Sequence, residues 1–188
     1  MYKICHTEES SRRQRELEQG LLDAMGHQSY EKITLTDLCR TLSVPRKTFY
    51  RYFPTKEDCL ISLIDHTLSD CNDLALKGWN GGGGLDQELQ LRFFRFWQSQ
   101  QLFLDALCRN GLEKLLLERT EVIVDRMKHG NPSDSFARDQ VEHFIAQGLI
   151  STVLRWYRLG CQSTPEEMAE VFGTLLGSLD ISLDRLLL

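Results

Sequence analysis

Apolar residues recur at intervals of three and four along nearly the whole of this 188-residue chain, and no segment alternates strictly between apolar and polar. A 3.6-residue period gathers such residues on one helix face, whereas a half-buried strand needs a period of two. Only four prolines interrupt the pattern. The expected fold is all-α. The length allows a small helical domain joined to a larger one.

Punctuation places the helices. A first helix is expected from about Glu9 to Met25, with Leu17, Leu21, Leu22 and Met25 on one face, ended by Gly26 and the polar residues up to Ser29 much as a C-terminal glycine would. Thr34 to Asp37 has capping-box form with Asp in place of Glu, opening a short helix that closes near Leu42. Ser43-Val44 is the turn, and Pro45 suits the first position of a third helix that runs to about Phe53 and meets Pro54. Thr55 to Asp58 repeats the cap and starts a long fourth helix reaching about Trp79, before the loop Asn80 to Gly84. Further helices are expected at 85–98, 100–109 and 111–128, and Asn131-Pro132 breaks the pattern. A long helix at 135–159 then ends at Gly160, and a last one starts at Thr164-Pro165-Glu166-Glu167 and runs to the C-terminus.

Charge separates the two halves. Net charge is −5 overall, yet Leu38 to Lys56 holds five basic residues (Arg40, Arg46, Lys47, Arg51, Lys56) and no acidic one. An acidic protein with basic charge concentrated in one window has an electrostatic footprint for a polyanion. Two short helices with a tight turn at about 35–53 suit a reader of the DNA major groove, with the second helix entering it. Phe49 and Phe53 would pack on Ile33, Leu38 and Leu42, leaving Arg46, Lys47 and Tyr50 on the other face. Arg and Lys match guanine O6 and N7. Thr34, Thr36, Thr48, Tyr50, Tyr52 and Lys56 carry donors for phosphate oxygens, and Lys56 adds charge at a helix N-terminus. Composition alone fits equally well a helical hairpin whose basic residues are merely solvated.

Ile33 to Leu38, Thr48 to Phe53 and Lys56 to Leu60 resemble the signature of TetR-type transcriptional regulators, a likeness that covers about residues 12–64. It implies a helix-turn-helix DNA-binding domain at 1–54 and a helical effector-binding and dimerisation domain at 55–188. It implies phosphate contacts from Thr34, Tyr50, Tyr52 and Lys56, and base contacts from Arg46, Lys47, Thr48 and Tyr50. With Thr36 and Pro45 these form the expected DNA-binding set. Ser43, Pro45 and Lys47 depart from the family pattern, standing where a turn glycine, a capping serine and a glycine are common.

The same resemblance implies a homodimer on double-stranded DNA, built on the last two helices, and a small-molecule effector among the middle ones. The apolar stripes Ile145, Leu149, Val153, Trp156 and Val171, Leu175, Leu179, Leu183 fit the dimer, although they would serve equally as a monomer's core. Phe93, Trp97, Phe103, His143, Phe144 and Gln147 are the expected pocket residues, with a well-filled core as the plainer alternative. The outcome expected is repression from a palindromic operator. Trp156 to Gly160 and Thr164 to Met168 are also faintly similar to regulators of dihydroxyacetone kinase operons, which implies the rival of regulation through protein contacts.

Other classes fit less well. No Ser-His-Asp or Cys-His order has a supporting motif, and none of the six cysteines forms a C-x-x-C pair or lies at zinc spacing from a His. No enzyme activity, metal or cofactor is expected. Cys39 and Cys59 keep a redox-sensing regulator open as a third reading, which would require exposed thiols of lowered pKa. No stretch approaches the roughly 18 apolar residues of a membrane helix. The polar segment Met1 to Ser11 does not read as a secretory signal, so a cytoplasmic protein is expected.

Overall fold

A computed structural model describes residues 2, 4, 5, 7–76, 87–128 and 136–178. Among the described residues the chain forms nine α-helices and one 3₁₀ turn, with no strand. They are α1 (Glu8–His27), the turn Tyr30–Lys32, α2 (Leu35–Thr41), α3 (Arg46–Tyr52), α4 (Lys56–Leu76), α5 (Gln87–Ser99), α6 (Gln101–Arg109), α7 (Glu113–Lys128), α8 (Phe136–Arg158) and α9 (Pro165–Ser178). No described helix is long and apolar enough to cross a membrane. The expected ends of the fourth and last helices, the glycine tract, the break at Asn131-Pro132, and Leu179 and Leu183 lie outside the described residues.

Packing divides the chain into two compact units, Met1–Thr67 with Leu102–Glu113, and Leu68–Gln101 with Lys114–Leu188. The boundary expected at 54/55 follows the motif. These units follow contacts, which place the start of α4 and most of α6 with the N-terminal helices.

In the first unit, α1 starts at a capping box in which Thr7 Oγ1 accepts from Ser10 N–H and Ser10 Oγ accepts from Thr7 N–H. The helix runs through Gly26 to His27 and ends within the polar stretch expected to stop it, where Gln28 turns extended. Gly26 keeps a negative φ, so it does not supply the left-handed cap expected of it. Leu17, Leu21 and Met25 of α1 are buried, as are Ile33, Leu38, Phe49, Phe53, Leu60 and Ile64. The end of α2 meets α1 at Gly20, where an added Cβ would run into the Leu42 side chain and force it to shift.

A polar seam runs through the apolar interior between α1 and α4. Gln14 Nε2 donates to Ser62 Oγ (3.0 Å), and Ser62 Oγ donates to Glu18 Oε1 (2.6 Å). His66 Nδ1 lies 2.9 Å from Glu18 Oε2, while Glu18 itself is 1% exposed. A carboxylate taken from water survives only with partners of this kind, which also fix the register of the two helices.

The second unit is built on aromatic packing. Phe94 of α5 is fully buried with its ring edge-on to Trp156 of α8 (5.8 Å, 87°) and tilted to Phe172 of α9 (5.4 Å). Trp97 is equally buried, beside Phe93 and Phe96. Burying a side chain of this size contributes roughly 1.5–3 kcal/mol. α9 opens as its sequence predicts: Thr164 Oγ1 accepts from Glu167 N–H, and Glu167 Oε2 accepts from Thr164 N–H. α8 ends where expected, with Gly160 at φ 76.

Candidate nucleic-acid interface

The hairpin of α2 and α3 is assembled from local rules. Thr34 caps α2, its Oγ1 accepting from Asp37 N–H at 3.1 Å. Asp37 carries a shorter side chain than Glu, and its carboxylate accepts the Thr34 hydroxyl (2.6 Å). α2 then ends in a Schellman turn: Ser43 N–H donates to the Arg40 carbonyl, and Val44 N–H to that of Cys39. The left-handed position is Ser43, at φ 53. No glycine stands there, yet the turn keeps its form at the strain cost of a Cβ. Ser43→Gly is expected to raise stability by about 0.5–1 kcal/mol with DNA affinity unchanged. Denaturant midpoints and a binding titration check both parts.

Pro45 stands one place earlier than expected. It is the N-cap, with ψ 141, and α3 begins at Arg46. Its carbonyl accepts from Thr48 and Phe49, so the first turn closes without a side-chain cap. α3 has two faces. Phe49 and Phe53 are fully buried with rings 5.4 Å apart, while Arg46, Lys47, Tyr50 and Arg51 are exposed. Arg46 is held along the helix by Tyr50: its Nη2 donates to the Tyr50 hydroxyl at 3.2 Å, and its guanidinium lies 5.8 Å from the ring centre. A planar donor fork fixed at the start of an exposed basic helix has the geometry for a guanine edge.

Of the other expected DNA contacts, Thr34 and Thr36 are exposed and Thr48 is half-buried. Tyr52 is only 5% exposed and packs against Phe53, so little of it reaches the surface. Lys56 is turned inward: its Nζ donates to the carbonyls of Tyr30 (2.6 Å) and Ile33 (2.8 Å). Burial lowers its pKa, with Glu31 opposing. Tyr30 and Asn110, which donates and accepts beside it, were given no role by the sequence. An Asn-Gly pair at a helix end was visible, but its partner 80 residues away was not.

The remaining candidates scatter. Phe93 and Trp97 come together (6.3 Å), but Phe103 is buried in the first unit and Phe144 is 68% exposed. Gln147 Nε2 donates to the Leu117 carbonyl, and His143 Nε2 lies 3.2 Å from Asp125. Val153 and Trp156 belong to their own unit's core, Trp156 also donating to the Ser163 carbonyl (3.0 Å), whereas Ile145 and Leu149 are half-buried. Val171 and Leu175 are exposed.

Ser62, His66 and Glu18 are the residue types of a hydrolytic triad, but the Ser62 hydroxyl is buried and spent on Glu18. Cys39 and Cys59 are buried, and burial raises both pKa values, with Arg46 opposing at Cys39. That is the reverse of a sensor thiol. Among the described residues no group of three or more His, Cys, Asp or Glu could hold a metal ion.

Comparison with known proteins agrees with this geometry. Residues 21–63 match the family model described as bacterial regulatory proteins, tetR family. No curated protein matches the chain. Among solved structures, a protein from Syntrophomonas wolfei ascribed to the TetR family of transcriptional regulators superimposes with a TM-score of 0.66 at 17% identity, over 93% of this chain and 97% of that one. The dihydroxyacetone kinase operon activator DhaS gives 0.53 at 20% identity, over 89% and 95%. The fatty acid degradation regulator FadR from Bacillus halodurans gives 0.57 at 14%, over 93% and 96%. At these identities the likeness is one of fold.

Proposed function

We propose that this chain, whose residues 21–63 match the tetR family of bacterial regulatory proteins, is a repressor of that family that binds a palindromic operator as a homodimer and answers to a small-molecule effector. The matched family is described as one of bacterial regulatory proteins. The observation that carries the reading is α3, with Phe49 and Phe53 anchored in the core and the Arg46–Tyr50 pair presented outward beside Lys47. Domains at 1–54 and 55–188 remain the functional division, DNA reading first and regulation second.

The dimer reading is supported by exposed apolar residues on the last two described helices. On α8, Phe144, Gly148, Ser151, Arg155 and Leu159 follow one another at helical spacing, all exposed, ending just past the helix. On α9, Val171 and Leu175 are one turn apart and exposed. Apolar residues aligned on one helix face, unlike scattered ones, suit a covered surface. The effector reading rests on the aromatic packing of the second unit, with Phe93, His143 and Gln147 half-buried there.

Selection of bound fragments from the source genome, at near-physiological salt, tests the function. The wild type is expected to recover a palindrome. Arg46→Ala should lose preference at one base pair in each half-site, by about 1–3 kcal/mol. Recovery of no site, or of the same preferences by the variant, would remove α3 as the reader.

A further inference from the structure

We propose that Asn110, at the C-terminal end of α6, is a positioning residue for the DNA-reading hairpin: with Lys56 it clamps Tyr30 and so fixes where the chain enters α2. The proposal rests on the DNA-binding reading given above. It concerns the first unit alone.

Both peptide groups of Tyr30 are held by other helices. Its N–H donates to Asn110 Oδ1 at 2.5 Å, and its carbonyl accepts from Lys56 Nζ at 2.6 Å. Lys56 also donates to the Ile33 carbonyl, one residue before the Thr34 cap, and its ammonium lies 4.1 Å from the Tyr30 ring centre. The ring is half-buried. The segment that delivers Thr34 to the start of α2 is therefore gripped from α4 on one side and from α6 on the other.

Asn110 is itself fixed. Its Nδ2 donates to the Ala106 carbonyl (2.7 Å), which leaves Oδ1 as the acceptor aimed at Tyr30. Gly111 N–H and Leu112 N–H close the end of α6 onto the carbonyls of Cys108 and Leu107, with Gly111 at φ 65. Phe103, Leu104, Ala106 and Leu107 bury α6 in the unit. A side chain anchored at both ends transmits the position of α6 to the turn it holds.

Lys56 thereby acquires a different task from the phosphate contact its place in the motif implies. Two of its three N–H groups are committed to carbonyls inside the chain. A lysine neutralising a phosphate contributes about one unit to the slope of log affinity against log salt. A lysine acting through Tyr30 changes affinity and leaves that slope alone.

The test uses the full chain with Asn110→Ala, Asn110→Asp and Lys56→Ala. It reads hydrogen exchange at the Tyr30 amide and salt-dependent affinity for the selected operator. Asn110→Ala is expected to lose protection at Tyr30 and to bind DNA about tenfold more weakly with the wild-type salt slope. Asn110→Asp keeps an acceptor for the Tyr30 amide but loses the donor to the Ala106 carbonyl, so it should retain part of the protection that Asn110→Ala loses. Lys56→Ala should weaken binding without changing the slope. Unchanged exchange or affinity in Asn110→Ala would overturn the proposal, as would a slope reduced by about one in Lys56→Ala. If the wild type selects no DNA while exchange follows the expected pattern, the DNA-binding reading falls and the clamp on Tyr30 stands.

Discussion

Phe49→Ala is expected to cost the first unit about 3–5 kcal/mol, a large share of the roughly 5–15 kcal/mol that holds a whole domain together. α3 has only seven residues, and a helix that short is not stable by itself in water. It exists because Phe49 and Phe53, both fully buried and 5.4 Å apart, anchor it in the core of the first unit. Removing the Phe49 ring takes away apolar burial and leaves a cavity beside a segment with little else to hold it. DNA binding should fail along with stability, because Arg46 and Tyr50 ride on the same helix. Tyr50→Ala, on the opposite and 48% exposed face, should change stability by no more than about 0.5 kcal/mol while weakening DNA binding. Urea unfolding of the two variants checks the contrast. A loss below about 1 kcal/mol for Phe49→Ala would mean that something other than its ring holds α3.

Legibility in the sequence followed the range of the interaction. Thr34, Pro45, Pro54 and Thr55 act within four residues of themselves, so the helix-turn-helix could be placed almost to the residue. The error at Pro45 was a shift of one position, since its ψ of 141 belongs to a cap and not to a helix. Ser43 illustrates the next level. The turn was expected at Ser43-Val44, and the chain makes it with Ser43 in the left-handed region, because the Schellman bonds of two neighbouring residues outweigh the strain at one. Gly26 failed in the opposite way: a glycine near a helix end need not be in the left-handed region, and this one is not.

Longer-range partners were invisible. Lys56 reads as a phosphate ligand because its charge is local information, but the two carbonyls that take its ammonium lie 26 and 23 residues away. Glu18 reads as a surface residue of an amphipathic helix until Ser62 and His66 arrive from α4. On α8 the difficulty is ambiguity of face. Ile145, Leu149, Val153 and Trp156 form a good stripe, and periodicity identifies a buried face without saying what buries it. Phe94 supplies the answer for Trp156, which is covered within its own unit. The exposed side of the same helix carries Phe144, and the exposed Leu159 follows its last residue.

The double substitution Phe144→Glu/Val171→Glu is expected to convert a homodimer into a folded monomer. Both residues are more than 60% exposed in the single chain, at 68% and 62%, so the change removes little internal packing and the thermal transition of the monomer should survive. In a two-fold interface each patch meets its own copy, so an introduced carboxylate faces apolar surface or another carboxylate, and either is costly. The consequence for DNA binding is larger than for folding. Two linked reading heads make the second half-site contact an intramolecular event, which is worth on the order of 10²–10⁴ in affinity. The monomer should lose that factor on a full palindrome while binding an isolated half-site as well as the wild-type head does. Sedimentation equilibrium reads the first effect, and anisotropy titrations on full and half sites read the second. A variant that stays dimeric would show that the contact between copies lies elsewhere on the chain. A monomer that kept full affinity for the palindrome would show that one recognition helix suffices, and the two-fold symmetry of the operator would then have no counterpart in the protein.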